Sequence, residues 1–213
     1  LSKLKFNPKT IDNLNQKSGI SNICVFCGSS SGNNGHYRKA AVELGNKMAE
    51  ENMGLVYGGS NIGLMGTIAN TLLQKKGNVI GVIPEVLKRP EVAHNQLTEL
   101  HVVETMHERK AMMAELSDAF LILPGGFGTL DETFEAITWA QLGIHTKPIG
   151  FLNIDGYFDP LYDFIKHAHE NGFIRKQNLD LFFMSSGINE CFEKLHTFNG
   201  KAIPLDHLTH DKI

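Results

Sequence analysis

Short apolar runs recur along the chain, each bounded by turn residues and followed by a longer stretch with helical spacing. This pattern predicts strands at Ile23 to Cys27, Gly54 to Tyr57, Val79 to Ile83, Phe120 to Leu123 and Ile149 to Asn153, with weaker ones at His101 to Val103 and Phe182 to Met184. Between them, helical spacing predicts helices near Tyr37 to Asn52, Leu64 to Lys76, His107 to Ser117, Leu130 to Leu142, Pro160 to Asn171 and Asn189 to His196. The strand runs are continuously apolar, as in strands covered on both faces. Strand and helix in alternation make an α/β protein with a doubly wound, mostly parallel sheet. No linker or repeat divides the pattern, so a single domain is expected over residues 21–200. Residues 1–20 read as a flexible N-terminal arm and 201–213 as a polar C-terminal tail.

The chain has 213 residues, enough to bury a core without disulfides or a structural metal. Its net charge of −3 lacks the basic excess that neutralises nucleic-acid phosphates. No apolar run approaches the length of a membrane span. Three cysteines, an odd number, argue against a disulfide framework and for a reducing compartment. Residues 1–22 have no apolar core of a secretory signal. A cytoplasmic location is therefore expected, with no nucleic-acid or membrane partner.

What changes this picture is glycine: 21 residues of 213, and clustered. The first strand runs into CGSSSG (Cys27 to Gly32), the second into YGGSNIGLMG (Tyr57 to Gly66), and the strand at Phe120 into PGGFGTLDE (Pro124 to Glu132). Successive N–H groups in such turns, added to the positive end of the next helix, form an anion site that a phosphate can approach closely. In a parallel sheet all these turns share the carboxyl edge, where ligands bind. Neither GxxxxGK[ST] nor a GxGxxG after the first strand is present, which speaks against a P-loop nucleotidase and ordinary NAD binding.

Two segments carry further chemistry. In PGGFGTLDE, Thr129 and Glu132 stand in T-x-x-E register, which a capping box explains. Against that, a pure cap does not require Gly125, Gly126 and Gly128 before it, a carboxylate there stands beside any bound sugar phosphate, and Asp131, Glu132 and Glu135 crowd one turn at some cost in repulsion. In ETMHERKAMMAELSDA (Glu104 to Ala119), Thr105 and Glu108 form a second such box. Arg109 and Lys110 then place cations at the wrong end of the helix dipole. Either they lie on a solvated face, or Arg109 binds an anion with fork geometry.

Taken together, PGGFGTLDE, MHERK (Met106 to Lys110), GGSNIGLMG and ITWAQLGIHTKPIGFLN (Ile137 to Asn153) resemble the LOG (LONELY GUY) family, from about Ile23 to about Ile174. Its members are cytokinin riboside 5′-monophosphate phosphoribohydrolases, often mislabelled lysine decarboxylases. The resemblance implies a Rossmann-like fold and a homodimer. It also implies cleavage of a nucleoside 5′-monophosphate, a cytokinin riboside 5′-monophosphate and/or AMP (AMP nucleosidase chemistry), to free base and ribose 5-phosphate. No cofactor is expected, and with ten scattered His and no H-E-x-x-H no metal is expected either. By the same resemblance Arg109 and Glu132 hold the catalytic places, and Glu91, Lys110, Gly126, Phe127, Gly128, Thr129, Leu130, Asp131 and Thr138 hold substrate-contacting ones. Ser60, in the second turn, is added as a phosphate ligand. Phe127 stands where Tyr is common and Asp131 where Glu is common.

Two rival readings use the same residues: a nucleotide sensor or carrier without turnover, and a transferase in which the glutamate is a nucleophile. Other features are bland. Cys24 and Cys27 are three apart in a strand and point to opposite faces, so they read as buried small hydrophobes. Trp139, on the helix face of Glu132, reads as packing or a subunit contact rather than a base-stacking platform, and Met106, Met112 and Met113 as core filling more than as the lining of a base pocket.

Overall fold

A computed structural model describes residues 19–89 and 93–198. Most of the expected N-terminal arm, the C-terminal tail and the predicted contact Glu91 lie outside the described residues. Among the described residues seven strands form one sheet: β1 (Asn22–Phe26), β2 (Gly54–Tyr57), β3 (Val79–Pro84), β4 (Glu99–Val103), β5 (Ala119–Ile122), β6 (Ile149–Leu152) and β7 (Phe183–Ser185). Six α-helices follow strands among the described residues: α1 (Gly35–Glu50), α2 (Gly63–Gln74), α3 (Met106–Glu115), α4 (Phe127–Gln141), α5 (Asp159–Glu170) and α6 (Ile188–Thr197), while β3 passes to β4 through a single 3-10 turn at Glu85–Leu87. Every strand pairing is parallel, in the order β4-β3-β2-β1-β5-β6-β7. The doubly wound reading holds, and both weak strands are real.

Alternation along β1 divides the core. Ile23, Val25 and Cys27 pack with Leu44, Met48, Ile68, Leu72 and Phe192 of α1, α2 and α6. Cys24 and Phe26 face the other way, toward Met113, Ala136 and Ile165 of α3, α4 and α5. Both cysteines are buried on opposite faces, and burial pushes both thiols up, so neither is poised for thiolate chemistry. At the outer edge, Glu99, Leu100 and Val102 of β4 are exposed, which is why its pattern was weak.

The topology reverses between β1 and β5, both neighbours in register at Ile23 and Ala119. A crevice opens at such a reversal, outside the carboxyl ends of the strands. The first and third glycine turns flank it.

Candidate active site

The three turns do converge. The Gly28 N–H donates to the Pro124 carbonyl at 3.0 Å, joining the first turn to the third. The Leu64 N–H donates to the Gly28 carbonyl at 3.1 Å, joining the first turn to the second. Gly63 takes φ +63° directly against the Ser29 backbone, so both its conformation and its contact exclude a side chain.

The third turn corrects one expectation. Helix α4 begins at Phe127, three residues before the predicted Leu130, with Gly126 as N-cap and no side-chain cap. Thr129 and Glu132 therefore form no capping box. The physical reason is the glycine pair: Gly125 and Gly126 turn the chain early enough that Thr129 is already helical. Its buried position ends up against Gly125. The first N–H groups of α4 are thus left without a side-chain acceptor at the positive end of a helix dipole, beside exposed Gly126 and Gly128. Phe127 is 93% exposed there.

The box at the start of α3 does form. The Glu108 N–H donates to Thr105 Oγ1 at 3.1 Å, and Glu108 Oε2 accepts from the Thr105 and Glu104 N–H groups at 3.4 and 2.9 Å. This cap aims the next residue, Arg109, into the protein. Arg109 is only 9% exposed, which removes the solvated-face alternative. Its Nε donates to the Val82 carbonyl at 3.2 Å, and Nη1 stands 3.3 Å from Glu132 Oε1. The guanidinium occupies the space over Gly58 that any Cβ there would fill.

Arg109 and Glu132 are thus brought together from two helices, both side chains about nine-tenths buried. Burial pushes the Glu132 carboxyl above the ordinary carboxylate range; Arg109 pulls it back, Asp131 and Glu135 add to the rise, and Lys110 opposes it. Lys110 Nζ bridges Asp131 at 3.2 Å and Glu135 at 3.1 Å. A crevice between α3 and α4 is lined by Lys110, Glu132, Glu135 and Trp139, with Phe26 and Phe120 beneath.

The other predicted contacts scatter. Leu130 is half-buried on α4. Ser60 is buried in the second turn, where its hydroxyl accepts from the Ile62 N–H at 3.3 Å. Thr138 is exposed and donates to the Phe134 carbonyl at 2.7 Å, about 9 Å along α4 from Glu132. Of the Met trio, Met113 is core, Met112 half-buried and Met106 exposed with its sulfur 3.9 Å from Arg109 Nη1. Sequence reasoning missed the Val82 carbonyl and the role of Gly58, because neither a backbone acceptor nor a space left for another residue has a signature in the chain. Among the described residues, no group of three or more His, Cys, Asp or Glu is arranged to hold a metal ion, and no helix is long and apolar enough to cross a membrane.

Residues 65–195 match the family model described as possible lysine decarboxylase. Cytokinin riboside 5′-monophosphate phosphoribohydrolase LOG3 of Arabidopsis thaliana is 48% identical over 86% of this chain and 85% of its own length. The probable cytokinin riboside 5′-monophosphate phosphoribohydrolase LOGL2 of Oryza sativa subsp. japonica is 46% identical over 86% of this chain and 75% of its own. Among solved structures, the molybdenum cofactor binding protein of Rippkaea orientalis superposes with TM-score 0.62 at 22% identity, covering 81% of this chain and 93% of that one. The molybdenum cofactor carrier protein of Chlamydomonas reinhardtii gives 0.63 at 18% identity, covering 84% and 97%. At those identities the likeness speaks for the fold alone.

Proposed function

The chain belongs to the LOG family, and from that membership we propose that it hydrolyses the N-glycosidic bond of a nucleoside 5′-monophosphate. The substrate is a cytokinin riboside 5′-monophosphate or AMP, and the products are the free base and ribose 5-phosphate. The observation that carries this reading is the buried Arg109–Glu132 pair at the mouth of the glycine turns.

Departure of the base builds positive charge on the ribose. An ionised Glu132 beside C1′ stabilises that charge and orients the water whose oxygen bonds to C1′ as the C1′–N bond breaks. The water's proton leaves with the base or to solvent. Arg109 favours the ionised form of Glu132 against the burial that raises its carboxyl, and, anchored on the Val82 carbonyl, it fixes the carboxylate's direction. The 5′-phosphate sits on the uncapped N–H groups of Gly126, Phe127, Gly128 and Thr129 at the start of α4, with Ser60 from the second turn. Phosphate binding then holds the reacting centre against Glu132.

Lysine decarboxylation fits the chain poorly. A Schiff-base lysine needs a neutral amine at the site. Lys110 is held protonated by two carboxylates, and Lys147 precedes β6, at the sheet edge opposite the glycine turns. A homodimer in the cytoplasm completes the reading. Phe134, Leu142 and Ile144 leave exposed apolar surface on and after α4 for a second copy, and light scattering of the purified protein tests it.

The reaction is tested by incubating the protein with AMP, isopentenyladenosine monophosphate and the matching nucleosides, then quantifying free base. Release from monophosphates, strong preference over nucleosides and loss in Glu132→Gln are expected. Binding of monophosphates without base release would instead mark a carrier, and equal rates on nucleosides would refute the phosphate anchor. An acceptor base that raises sugar consumption would mark a transferase.

A further inference from the structure

Outside the motif residues, a phenol reaches into the third glycine turn. Tyr157, from the connection between β6 and α5, donates its hydroxyl hydrogen to the Gly125 carbonyl at 2.6 Å, across 32 residues of chain. That carbonyl belongs to the peptide joining Gly125 to Gly126, the N-cap of α4. No described peptide is cis, and in a planar trans peptide the C=O and the following N–H point in opposite directions. Holding the Gly125 oxygen on one side therefore holds the Gly126 N–H on the other.

The lock is needed because of the residues it acts on. Two consecutive glycines leave this peptide plane freer to rotate than any other pair, and a Cβ at Gly126 would meet nothing within 4 Å. A half-turn of the plane would replace an N–H donor by a carbonyl oxygen at the anion site, repelling a phosphate where it should be attracted.

Tyr157 is itself well anchored. Its ring meets Tyr37 edge-on at 5.6 Å between centroids and Phe158 at 4.9 Å. Just before it, Asp155 adopts φ +52° and binds the His36 ring and the Asn34 amide, each at 2.7 Å. On the other side Asn153 accepts from the Phe158 N–H and donates to Asp159, both at 2.7 Å. The tether thus runs from the first turn of α1 through this connection to the third glycine turn.

We propose that Tyr157 is a positioning residue whose hydroxyl locks the Gly125–Gly126 peptide so that the Gly126 N–H faces a 5′-phosphate bound at the start of α4. This rests on the phosphate anchor of the proposed function.

Tyr157→Phe tests it, because the ring and its packing remain and only the hydroxyl goes. Ribose 5-phosphate affinity is measured by calorimetry, and turnover with AMP and isopentenyladenosine monophosphate against the nucleosides. The loss of one hydrogen bond predicts a rise in Kd and KM of about threefold to tenfold, with kcat and kcat/KM on nucleosides unchanged. Tyr157→Leu, which also removes ring packing, should raise Kd at least as far. Unaltered ribose 5-phosphate affinity in Tyr157→Phe overturns the proposal. So does an equal loss on phosphate-bearing and phosphate-free substrates together with a lower melting temperature, which would mark a merely structural tyrosine. If the wild-type protein binds ribose 5-phosphate but releases no base, the hydrolytic reading fails while the lock is still judged from Kd. If it binds no phosphate ligand, both fail.

Discussion

Arg109→Met keeps an unbranched apolar stem and deletes the guanidinium with its charge. Two groups lose their partner: the Val82 carbonyl, which accepts from Nε at 3.2 Å, and the Glu132 carboxylate, 3.3 Å from Nη1. Losing a charged donor to a buried carbonyl costs about 1–2 kcal/mol. The buried carboxylate is the larger liability, but it has an escape: it can take up a proton. From the ordinary value of 4.5, neutralising it at pH 7 costs about 3 kcal/mol at most. The variant should therefore lose at least about 1 and at most about 5 kcal/mol at pH 7, a fall of several degrees in melting temperature for a chain of this size.

The sign of the pH dependence follows. Without Arg109 the folded pKa of Glu132 lies still further above its unfolded value. Its destabilisation is full above the folded pKa and fades as pH falls toward the unfolded one. Urea unfolding followed by the fluorescence of Trp139, the single tryptophan, should show the gap between wild type and variant narrowing as pH falls from about 7 to about 5. In a Glu132→Gln background, Arg109→Met should cost less and its cost should not vary over that pH range. A loss independent of pH and equal in both backgrounds would refute the claim that Arg109 serves mainly as counter-charge to Glu132.

Three further outcomes are expected. Lys110→Met leaves Asp131 and Glu135 unopposed beside Glu132, so the acid limb of kcat/KM should move to higher pH, which a pH-rate profile reads directly; a uniform fall with an unmoved limb would contradict this. Gly58→Ala puts a methyl group where the Arg109 guanidinium lies, and should cut base release about a hundredfold while circular dichroism stays native. Burial, helped by Lys147, holds the His145 imidazole down to about 4 from 6.5, so the stability it contributes is complete above pH 6.5 and drains away as pH falls toward 4; thermal melts of His145→Gln should show a flatter acid slope.

Strand and helix order were legible from the chain because burial on both faces writes continuous apolar runs, as in Leu55 to Tyr57 and Phe120 to Leu123. The Thr105–Glu108 cap was legible too, since its bonds span three residues. Thr129 and Glu132 show where that kind of reading stops. They have the same spacing, but Gly125 and Gly126 start α4 earlier and leave both residues inside the helix. Local spacing cannot separate the two cases, because the difference is a backbone turn set by packing against Gly28 and Pro124.

By itself the sequence determined that three glycine-rich turns end parallel strands, and that such turns favour a phosphate. The chemistry of backbone N–H groups needs no distant partner to be recognised. Tertiary structure alone decided that Arg109 is buried and meets Glu132, that Lys110 is taken up by Asp131 and Glu135, and that Tyr157 holds the Gly125 carbonyl. Each of these contacts joins segments separated by twenty or more residues. Charge alone does not specify a partner over such separations; the sheet order that brings the side chains of α3 and α4 together and the β6–α5 connection over the third turn does.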